Sequence, residues 1–383
     1  MKVAMDYFAA ATHAPGIGRY GRELVRAMVR RDDCPELRLL SWGRAAAELG
    51  QDALGLSGPE VTKEPRRVIV PLPRRTTNLY SLLTGKGAEA RCGDVDLFHR
   101  SSPLEPMLGR KASKRPIQVQ PLLELPGPGT ETEQRLRQVL LQMDAVLCGS
   151  RAGAEESVGR LGLDPDKVHA VTTGADHWLR GCAPLSIAEL EAAGPPRILV
   201  LGAIGSLRQP LAVLAAMEAL VAMNRFPGIG LTYCGHPGNE QSAFEAALKH
   251  SPAKQHVRWI SKPVEADLPK LVASSSLLVH LSDGELSPIT PLEALTFGLS
   301  VVASDLPSFR EVLQGVGGTK LVPMDAGSDP AELARTFEVA LEGTLEPSSR
   351  EARLVAAKSH TWAANAVQTA ALWRDLAATR ARS

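Results

Sequence analysis

The sequence lacks the cysteine patterns that bind zinc or exchange thiols. Its five cysteines, at positions 34, 92, 148, 182 and 234, are odd in number and never closer together than 34 residues, so no zinc or C-x-x-C spacing exists. No apolar stretch reaches the ~18 residues that a membrane span requires, and no signal-peptide hydrophobic region follows Met1. The longest candidate, Leu211–Met223, contains Glu218 and predicts an amphipathic helix. We therefore expect a cytoplasmic protein.

The composition is that of a globular protein with more than one domain. The chain has 383 residues, of which 44% are hydrophobic and 22% charged, and two domains of ~190 residues would each bury a sizeable core. The net charge is +1, but residues 1–120 hold 20 Lys and Arg against 13 Asp and Glu. This basic part suits phosphate-bearing ligands or an anionic membrane surface, although it is equally consistent with a solvated basic face.

A strand–loop–helix–strand unit lies between residues 276 and 303. Ser276–Leu281 is an apolar run with β-branched residues, typical of a buried strand. Thr290 and Pro291 then provide an N-cap hydroxyl and a proline at the first helical position, and Gly298 is placed to end the helix before a strand at Ser300–Ala303. The N–H groups of such a helix start point over the carboxyl edge of a parallel sheet, which makes this edge a candidate anion site.

Two carboxylates, Glu285 and Glu293, bracket the loop of this unit. Taken alone, Glu293 is explained by a capping box with Thr290, and Glu285 by a solvated loop position. The spacing E-x7-E, followed by A-L-x-x-G-x-x-V-V-A-S-D and L-P-S-F-R-E-V, resembles the signature of retaining glycosyltransferases of family 4, which have the GT-B fold. The resemblance implies that Glu285 lies near the donor sugar and that Glu293 holds the nucleotide ribose. It also implies that amides between them meet the diphosphate, those of Ser287, Ile289 and Thr290.

The loop departs from the family pattern E-G-F-G-x-P. Leu286 and Pro288 stand where that pattern has glycines, which stiffens the loop and removes one amide donor. His280 ends the preceding strand among apolar neighbours, and we interpret it as a half-buried strand residue rather than as an acid or base.

The chain opens with a strand at residues 2–5, a loop, and a helix from about Arg19. Gly16 and Gly18 lie just ahead of that helix, where backbone can approach a phosphate, and G-I-G-R-Y resembles the opening of the family. Arginines recur at helical spacing from Arg19, and we expect most of them to be solvated, with Arg19 the one ligand contact. A dinucleotide-binding fingerprint is excluded, because no tight turn precedes the glycines and no acidic residue ends a second strand at the required distance.

His99 ends a predicted strand at residues 94–99. Histidines at strand ends are more often structural, but members of the family have one here on the acceptor side, so the resemblance makes His99 a candidate catalytic residue. The V-H-D histidine of the family is missing after Pro116, and Gln120 or Glu124 could take its place. The letters D-x-D at 94–96 precede a strand end in the wrong domain, and we expect neither a metal nor another cofactor.

A second loop of interest follows the predicted strand at residues 197–202. It resembles the V-G-x-L-x-P-R-K-N loop of the family, whose lysine neutralises the donor diphosphate, and Arg208 falls on that lysine position. An arginine can pair with a phosphate in bidentate fashion. A surface arginine without a ligand is the alternative.

These patterns predict an α/β protein of the GT-B class, with two Rossmann-like, doubly wound parallel-sheet domains facing a central cleft. We expect an acceptor-side domain at 1–180, a nucleotide-sugar-binding domain at 195–360, and a helix at 361–383 that crosses back to the first domain.

The resemblance implies a retaining hexosyltransferase. It would move a hexose from a nucleotide-sugar to a glycan or lipid-linked acceptor in envelope or capsular polysaccharide synthesis, without a metal. Peripheral contact with the inner face of the membrane through the basic N-terminal domain is possible, and no nucleic acid is expected. The alternative is a catalytically degenerate GT-B protein that binds a nucleotide-sugar or a partner enzyme without turnover.

Overall fold

A computed structural model describes residues 1–43, 50–71, 83, 88–101 and 115–382. The chain divides into two compact units. The first comprises Met1–Gly174 together with the segment from Trp362 onward, and the second comprises Ala175–Thr361. A long segment of the sequence therefore lies between the two parts of the first unit.

The first unit contains a parallel sheet of seven strands among the described residues, in the order β3-β2-β1-β4-β5-β6-β7. The sequence patterns predicted two of these strands, β1 at residues 2–5 and β4 at residues 94–99, where only Leu97–His99 form the strand. The strands are β1 Lys2–Asp6, β2 Glu36–Trp42, β3 Arg66–Val70, β4 Leu97–His99, β5 Ile117–Leu122, β6 Ala145–Cys148 and β7 Val168–Ala170.

The helices of the first unit are Phe8–Ala11, Ile17–Met28, Glu131–Leu140, Arg151–Leu161 and Trp362–Arg382. Gly16, with a φ of 61°, is the N-cap of the second helix, which therefore begins two residues before the predicted start at Arg19. The prediction that the arginines of this helix are mostly solvated is wrong for Arg22. It is 1% exposed and lies 3.9 Å from the buried carboxylate of Glu23.

The last helix of the chain is part of the core of the first unit. Trp362 and Trp373 are each 1% exposed and pack with Val3 and Leu24. A Cβ at Gly174 would lie 2.5 Å from the Trp362 ring, so this position admits only glycine without a shift of the helix. The Trp362 indole thus packs the last helix of the chain against Gly174, which lies almost 190 residues earlier in the sequence.

The second unit contains a parallel six-stranded sheet in the order β10-β9-β8-β11-β12-β13. The reversal between β8 and β11 is the switch point at which ligands bind in open α/β sheets. The strands are β8 Arg197–Leu201, β9 Gly230–Cys234, β10 Val257–Ile260, β11 Leu277–His280, β12 Ser300–Ser304 and β13 Thr319–Val322. Their α-helices are Ile187–Ala192, Pro210–Met223, Gln241–His250, Leu268–Ala273, Ile289–Thr296, Pro307–Leu313, Pro330–Glu342 and Pro347–Ala357.

One stretch of the described residues, Ser206–Met223, is long and apolar enough to cross a membrane by length and composition, with a mean hydropathy of 1.2 over 18 residues. In the fold it forms a 3-10 turn and the helix Pro210–Met223. That helix buries Val213, Leu214 and Met217 in the core of the second unit. Since 33% of the stretch is buried, this packing accounts for part of its apolar character.

Arg353 joins several loops at the amino end of the second sheet. Its side chain is fully buried, and its Nε and Nη2 donate to the carbonyls of Gly298 and Thr344 at 2.9 and 2.8 Å. Its Nη1 donates to the carbonyls of Gly317 and Gly343 at 3.0 and 3.3 Å. Burial lowers the pKa of the guanidinium to about 10, so it stays charged at neutral pH.

Arg353→Met should destabilise the second unit by ~3 kcal/mol or more, because buried carbonyls would lose a charged donor. Hydrogen exchange of the β12 and β13 amides in native buffer measures this loss. Arg335→Met, which removes an exposed arginine paired with Glu332 at 2.6 Å, should change protection by less than ~0.5 kcal/mol. Equal protection in the two variants would show that Arg353 does not hold these loops together.

Candidate functional site

The loop after β8 is fixed by close backbone contacts with the loop after β9. The Gly202 and Ile204 N–H groups donate to the carbonyls of Cys234 and His236 at 3.0 and 3.1 Å. A Cβ at Gly235 would lie 1.8 Å from the Gly202 carbonyl oxygen, so glycine is required for this approach. The result is a rigid support for the 3-10 turn Ser206–Arg208.

Arg208 folds back from this turn over Gly202. Gly202 has a φ of 137°, and a Cβ there would lie 2.8 Å from Nε of Arg208. Nη1 of Arg208 donates to the carbonyl of Leu281 at 3.2 Å. The guanidinium therefore lies at the carboxyl edge of the sheet, beside the end of β11.

Glu285 and Arg208 form a direct ion pair at this edge. Nη2 of Arg208 lies 2.6 Å from Oε1 of Glu285, and the two side chains are 19% and 11% exposed. His280 contacts the same carboxylate through Nε2, at 3.0 Å from Oε1 and 3.2 Å from Oε2. Because a carboxylate only accepts hydrogen bonds, Nε2 of His280 carries the proton. We call these three residues the edge triad.

The charge states of the edge triad follow from its burial. Burial alone would raise the pKa of Glu285, but the charge of Arg208 and the hydrogen bond from His280 outweigh it and hold that pKa well below its ordinary 4.5. Burial lowers the pKa of His280, and Glu285 only partly offsets this. At neutral pH the edge triad is thus a carboxylate, a guanidinium and a neutral imidazole.

The sequence placed Arg208 and Glu285 at one sheet edge but missed His280. The expectation of a half-buried strand residue is wrong, since His280 is fully buried with its ring against Phe309 at 5.5 Å. One signal was present in the sequence. His280 ends β11, which runs directly into the loop at residues 281–288 that carries Glu285 and that we call the glutamate loop. The side chains of His280 and Glu285 therefore start at the same edge of the sheet.

Serine hydroxyls hold the glutamate loop from below. Ser308 donates to the backbone carbonyl of Glu285, and Ser304 accepts from the N–H of Ser282 at 2.9 Å. Leu286 is fully buried at one of the positions where the family pattern has glycine. The non-glycine residue therefore anchors the loop in the core.

The helix after this loop runs over Ile289–Thr296 with Pro288 as its N-cap, and no side chain caps it. The expected N-cap at Thr290, and with it the capping box to Glu293, is wrong. Proline fits this position because it lacks a backbone N–H. The Ile289 and Leu292 N–H groups bond within the turn, to Ser287 and Pro288 carbonyls, and Pro291 has none. The N–H of Thr290 remains as the donor of this turn that could meet a ligand.

Glu293 is enclosed by protein. Its side chain is 0% exposed, and Oε1 lies 3.3 Å from Nε2 of His177, which is 2% exposed. His177 belongs to the 3-10 turn Asp176–Arg180 and packs against Trp178 at 4.8 Å. The sequence gave no sign of this contact, since 116 residues separate the two.

Gly16 and Gly18, the two glycines predicted to approach a phosphate, lie in different environments. Gly16 is exposed, and a Cβ there would meet no atom within 4 Å. Gly18 is buried, and a Cβ there would lie 2.4 Å from the Ala9 carbonyl oxygen. Packing against the helix Phe8–Ala11 is thus sufficient to require Gly18. Arg19, partly exposed in the first turn of the next helix, stays a predicted ligand contact.

His99 lies inside the core of the first unit. It is 0% exposed, its ring stacks on Tyr20 at 6.0 Å, and Trp373 meets its face at 5.5 Å. Nε2 lies 3.4 Å from the Tyr20 hydroxyl. Burial lowers its pKa to about 3, so the ring is neutral at physiological pH. This is the environment of a packing residue, and the catalytic role of His99 stays a prediction.

Of the two candidates for the missing histidine position, Gln120 is fully buried. Its Oε1 accepts from Nε of Arg100 at 3.1 Å, and its amide nitrogen donates to the Pro121 carbonyl at 2.8 Å. Asp6, at the end of β1, accepts from Ser101 at 2.6 Å. Gln120 is therefore part of a buried polar group at the carboxyl edge of the first sheet.

Gly202→Ala should separate the edge triad. The added Cβ displaces Arg208, so Arg208 no longer offsets the burial of Glu285 and the pKa of that carboxyl should rise. A 13C NMR titration of labelled glutamate carboxyls measures this pKa. The Glu285 signal is the one that is missing in the spectrum of Glu285→Gln. Gly181→Ala is the control, because a Cβ at Gly181 meets nothing within 4 Å. An unchanged titration in Gly202→Ala would contradict this account of the glycine.

His99 should make the first unit less stable in mild acid. The folded ring resists protonation down to about pH 3, whereas the unfolded ring protonates near 6.5. The stabilising contribution is thus complete above pH 6.5 and declines as the pH falls toward 3, by ~1.4 kcal/mol per pH unit. Urea unfolding at several pH values, followed by tryptophan fluorescence, should show this slope reduced in His99→Gln and retained in His13→Asn, where the histidine is exposed. If the free energy of unfolding depends on pH equally in His99→Gln and in the unsubstituted chain, the prediction is refuted.

Comparison with known proteins finds a sequence similarity that covers most of the second unit. Residues 186–355 match the model of the family described as glycosyl transferases group 1. A phosphatidyl-myo-inositol mannosyltransferase of Mycolicibacterium smegmatis is 30% identical over 282 residues, which are 70% of this chain and 66% of that protein. The chain thus aligns with just under two thirds of this relative's length.

Two solved structures are similar over nearly the whole chain. The sucrose-phosphate synthase of Thermosynechococcus elongatus superposes with a TM-score of 0.73 at 16% identity, covering 99% of this chain and 100% of its own. Anabaena HepE, in complex with UDP and glucose, gives 0.70 at 15% identity, with 97% and 98% covered. The chain thus has the GT-B architecture of two Rossmann-like domains, as the sequence predicted, and residues 186–355 carry the sequence pattern of glycosyl transferases group 1.

Proposed function

We propose that this chain is a glycosyltransferase that takes a hexose from a nucleoside-diphosphate sugar. The observation that carries the proposal is the edge triad. A guanidinium and a carboxylate, both largely removed from water, lie at the carboxyl edge of a Rossmann-like sheet and beside a helix start. This is where open α/β sheets bind ligands.

The positive groups at this edge suit a leaving diphosphate. As the sugar–phosphate bond breaks, negative charge gathers on the nucleoside diphosphate, and fixed donors that meet it lower the barrier. Arg208 and the N–H of Thr290 are the donors available from the glutamate loop and its neighbour, and the helix dipole adds to them. We propose that these groups make a metal unnecessary.

The binding step would be an exchange of partners. In the structure Glu285 occupies one edge of the Arg208 guanidinium, and an incoming phosphate would take that edge in bidentate fashion. Glu285 would then be released to accept hydrogen bonds from sugar hydroxyls, while His280 keeps it oriented from Nε2. In this proposal Glu293 holds the ribose after a shift of His177, because no part of its side chain is exposed.

A cavity of about 460 Å³ adjoins this edge and has room for part of a ligand. Its lining includes Ser206, Gln209, Asp283 and Met324. Gln209 follows Arg208 directly, and its amide lies 3.4 Å from both the Asp283 carboxylate and the Met324 carbonyl. The polar lining beside the edge triad supports hydroxyl recognition here.

The names of similar proteins support a hexose donor and a lipid or glycan acceptor. The mannosyltransferase acts on a phosphatidyl-myo-inositol, and HepE was solved with UDP and with UDP-glucose. We propose retention of configuration, as in family 4. We further propose a role in envelope or capsular polysaccharide synthesis at the cytoplasmic side of the membrane.

A second candidate function is binding without turnover. The observations that favour it are the direct pairing of Arg208 with Glu285 and the full enclosure of Glu293, because both groups are already satisfied by protein partners. A protein of this kind would bind a nucleotide-sugar or a partner enzyme and release no sugar.

The test is a panel of UDP-, GDP-, ADP- and dTDP-sugars, with thermal shift for binding and sugar release for turnover. One nucleotide class should stabilise the chain and be hydrolysed slowly. Arg208→Ala should lower kcat/KM ~10²–10³-fold, because a donor to the leaving group is lost. Glu285→Gln should lower kcat more than it raises KM. Arg225→Ala is the matched control, since Arg225 pairs with surface Glu338 and Glu342.

The outcomes separate the two candidates. Stabilisation that Arg208→Ala and Glu293→Ala abolish, together with sugar release, supports the transferase. Stabilisation without release, even with acceptor-rich membranes added, supports the binding protein. No stabilisation by any nucleotide-sugar, in a chain whose circular dichroism is that of a folded protein, rejects the donor site.

A further inference from the structure

A second cavity lies at the opposite edge of the same sheet, where β8, β9 and β10 begin. Its volume is about 570 Å³. Its polar lining includes residues of the three strands, of the 3-10 turn Lys254–His256 and of the segment after the helix Leu268–Ala273: Arg197, Thr232, Gln255, His256, Arg258 and Ser274. Among the residues that the structure describes, no Asp or Glu lines this cavity.

The sheet register gathers the basic residues on one face. Arg197 of β8 pairs with Gly230 of β9, and Thr232 pairs with Arg258 of β10. Side chains two apart on a strand share a face, and paired residues on neighbouring strands do as well. Arg197, Thr232 and Arg258 therefore point to the same side of the sheet.

The position of Arg197 depends on a glycine. A Cβ at Gly230 would lie 2.5 Å from Nη1 of Arg197, so the guanidinium lies over this glycine. The backbone of Arg197 is fixed as well, since its N–H donates to Ser276 Oγ at 3.2 Å and its carbonyl accepts from the Ser276 N–H at 2.8 Å. Arg197 is an exposed residue, but its backbone bonds and its approach to Gly230 place the guanidinium over the start of β9.

Neither guanidinium is neutralised within the described part of the chain. No carboxylate there lies within 4.0 Å of the Arg197 or Arg258 side chain. His256 also lines the cavity, and its Nδ1 donates to the Ile229 carbonyl at 2.8 Å. Since Nδ1 carries this proton, Nε2 is the ring nitrogen left for a ligand.

We propose that this cavity binds a phosphomonoester that also carries hydroxyl groups. Two arginines give bidentate donors to phosphate oxygens. The hydroxyls of Thr232 and Ser274 and the amide of Gln255 suit the remaining polar groups of the ligand. The volume falls within the ~300–1,000 Å³ of small-molecule sites and exceeds what a phosphate ion alone would fill. The site is separate from the edge triad and independent of the proposed transferase activity.

Glycerol 3-phosphate, with glycerol and inorganic phosphate beside it, tests the proposal by calorimetric titration of the full chain. Glycerol 3-phosphate should bind, phosphate more weakly, and glycerol not at all. Arg197→Ala and Arg258→Ala should each weaken binding at least ~tenfold, because a hydrogen bond from a charged donor is lost. Gly230→Ala should also weaken binding, because its methyl group displaces the Arg197 guanidinium without changing any charge.

Two controls locate the binding. Arg225→Ala removes the same charge outside the cavity, and Arg208→Ala removes the cation of the edge triad; both should leave the affinity unchanged. Affinity that survives Arg197→Ala and Arg258→Ala, or that is lost in Arg208→Ala, overturns the proposal. Circular dichroism checks that each variant is folded, and Arg258→Lys keeps the charge while losing the bidentate geometry.

A further arm separates the two sources of this chemistry. Vesicles that contain phosphatidylinositol 4-phosphate present a phosphomonoester beside hydroxyl groups in a lipid headgroup, and phosphatidylcholine vesicles provide the zwitterionic comparison. Sedimentation with the phosphatidylinositol 4-phosphate vesicles that is lost in Arg197→Ala and Gly230→Ala identifies a headgroup. Glycerol 3-phosphate binding without such sedimentation identifies a free phosphomonoester.

Discussion

The ion pair between Arg208 and Glu285 is the interaction on which the carboxyl edge of the second sheet depends. The two charges come from different loops, and each is largely withdrawn from water. Removing one would leave the other as an uncompensated charge, which costs several kcal/mol in a buried setting. The glycine contacts of Gly202 and Gly235 and the serine contacts beneath Glu285 all serve to bring these charges within 2.6 Å.

The two glutamates of the E-x7-E spacing lie in unlike environments, and this limits what each can do. Glu285 retains some exposure and faces a cation, so it can exchange partners with an anionic ligand at little structural cost. Glu293 is enclosed beside His177. Any ligand that reaches Glu293 must first move a packed side chain, so the two carboxylates cannot be equivalent contacts in this conformation.

The sequence predicted the GT-B fold through its resemblance to glycosyltransferases of family 4, and it put Arg208 and Glu285 after two strands of one parallel sheet, where the structure pairs them. Buried strands read as apolar runs, and parallel strands bring the residues after them to one edge, which placed Arg208 with Glu285. The sequence was insufficient to predict contacts that depend on the direction of a side chain. The His280 hydrogen bond, the approach of His177 to Glu293 and the burial of Arg22 are products of packing between distant segments, which periodicity does not encode.

The charge state of each sheet edge also determines how an anion would bind there. At the carboxyl edge Arg208 is already compensated, so a phosphate gains only the difference between its own interaction and that of Glu285. At the amino edge the charges of Arg197 and Arg258 have no carboxylate within 4.0 Å to displace among the described residues, so an anion adds its full interaction. The affinity for an anion should therefore fall more steeply with salt concentration at the amino edge than at the carboxyl edge. At the carboxyl edge salt screens both the attraction that is gained and the Arg208–Glu285 attraction that is lost, whereas at the amino edge it screens only a gain.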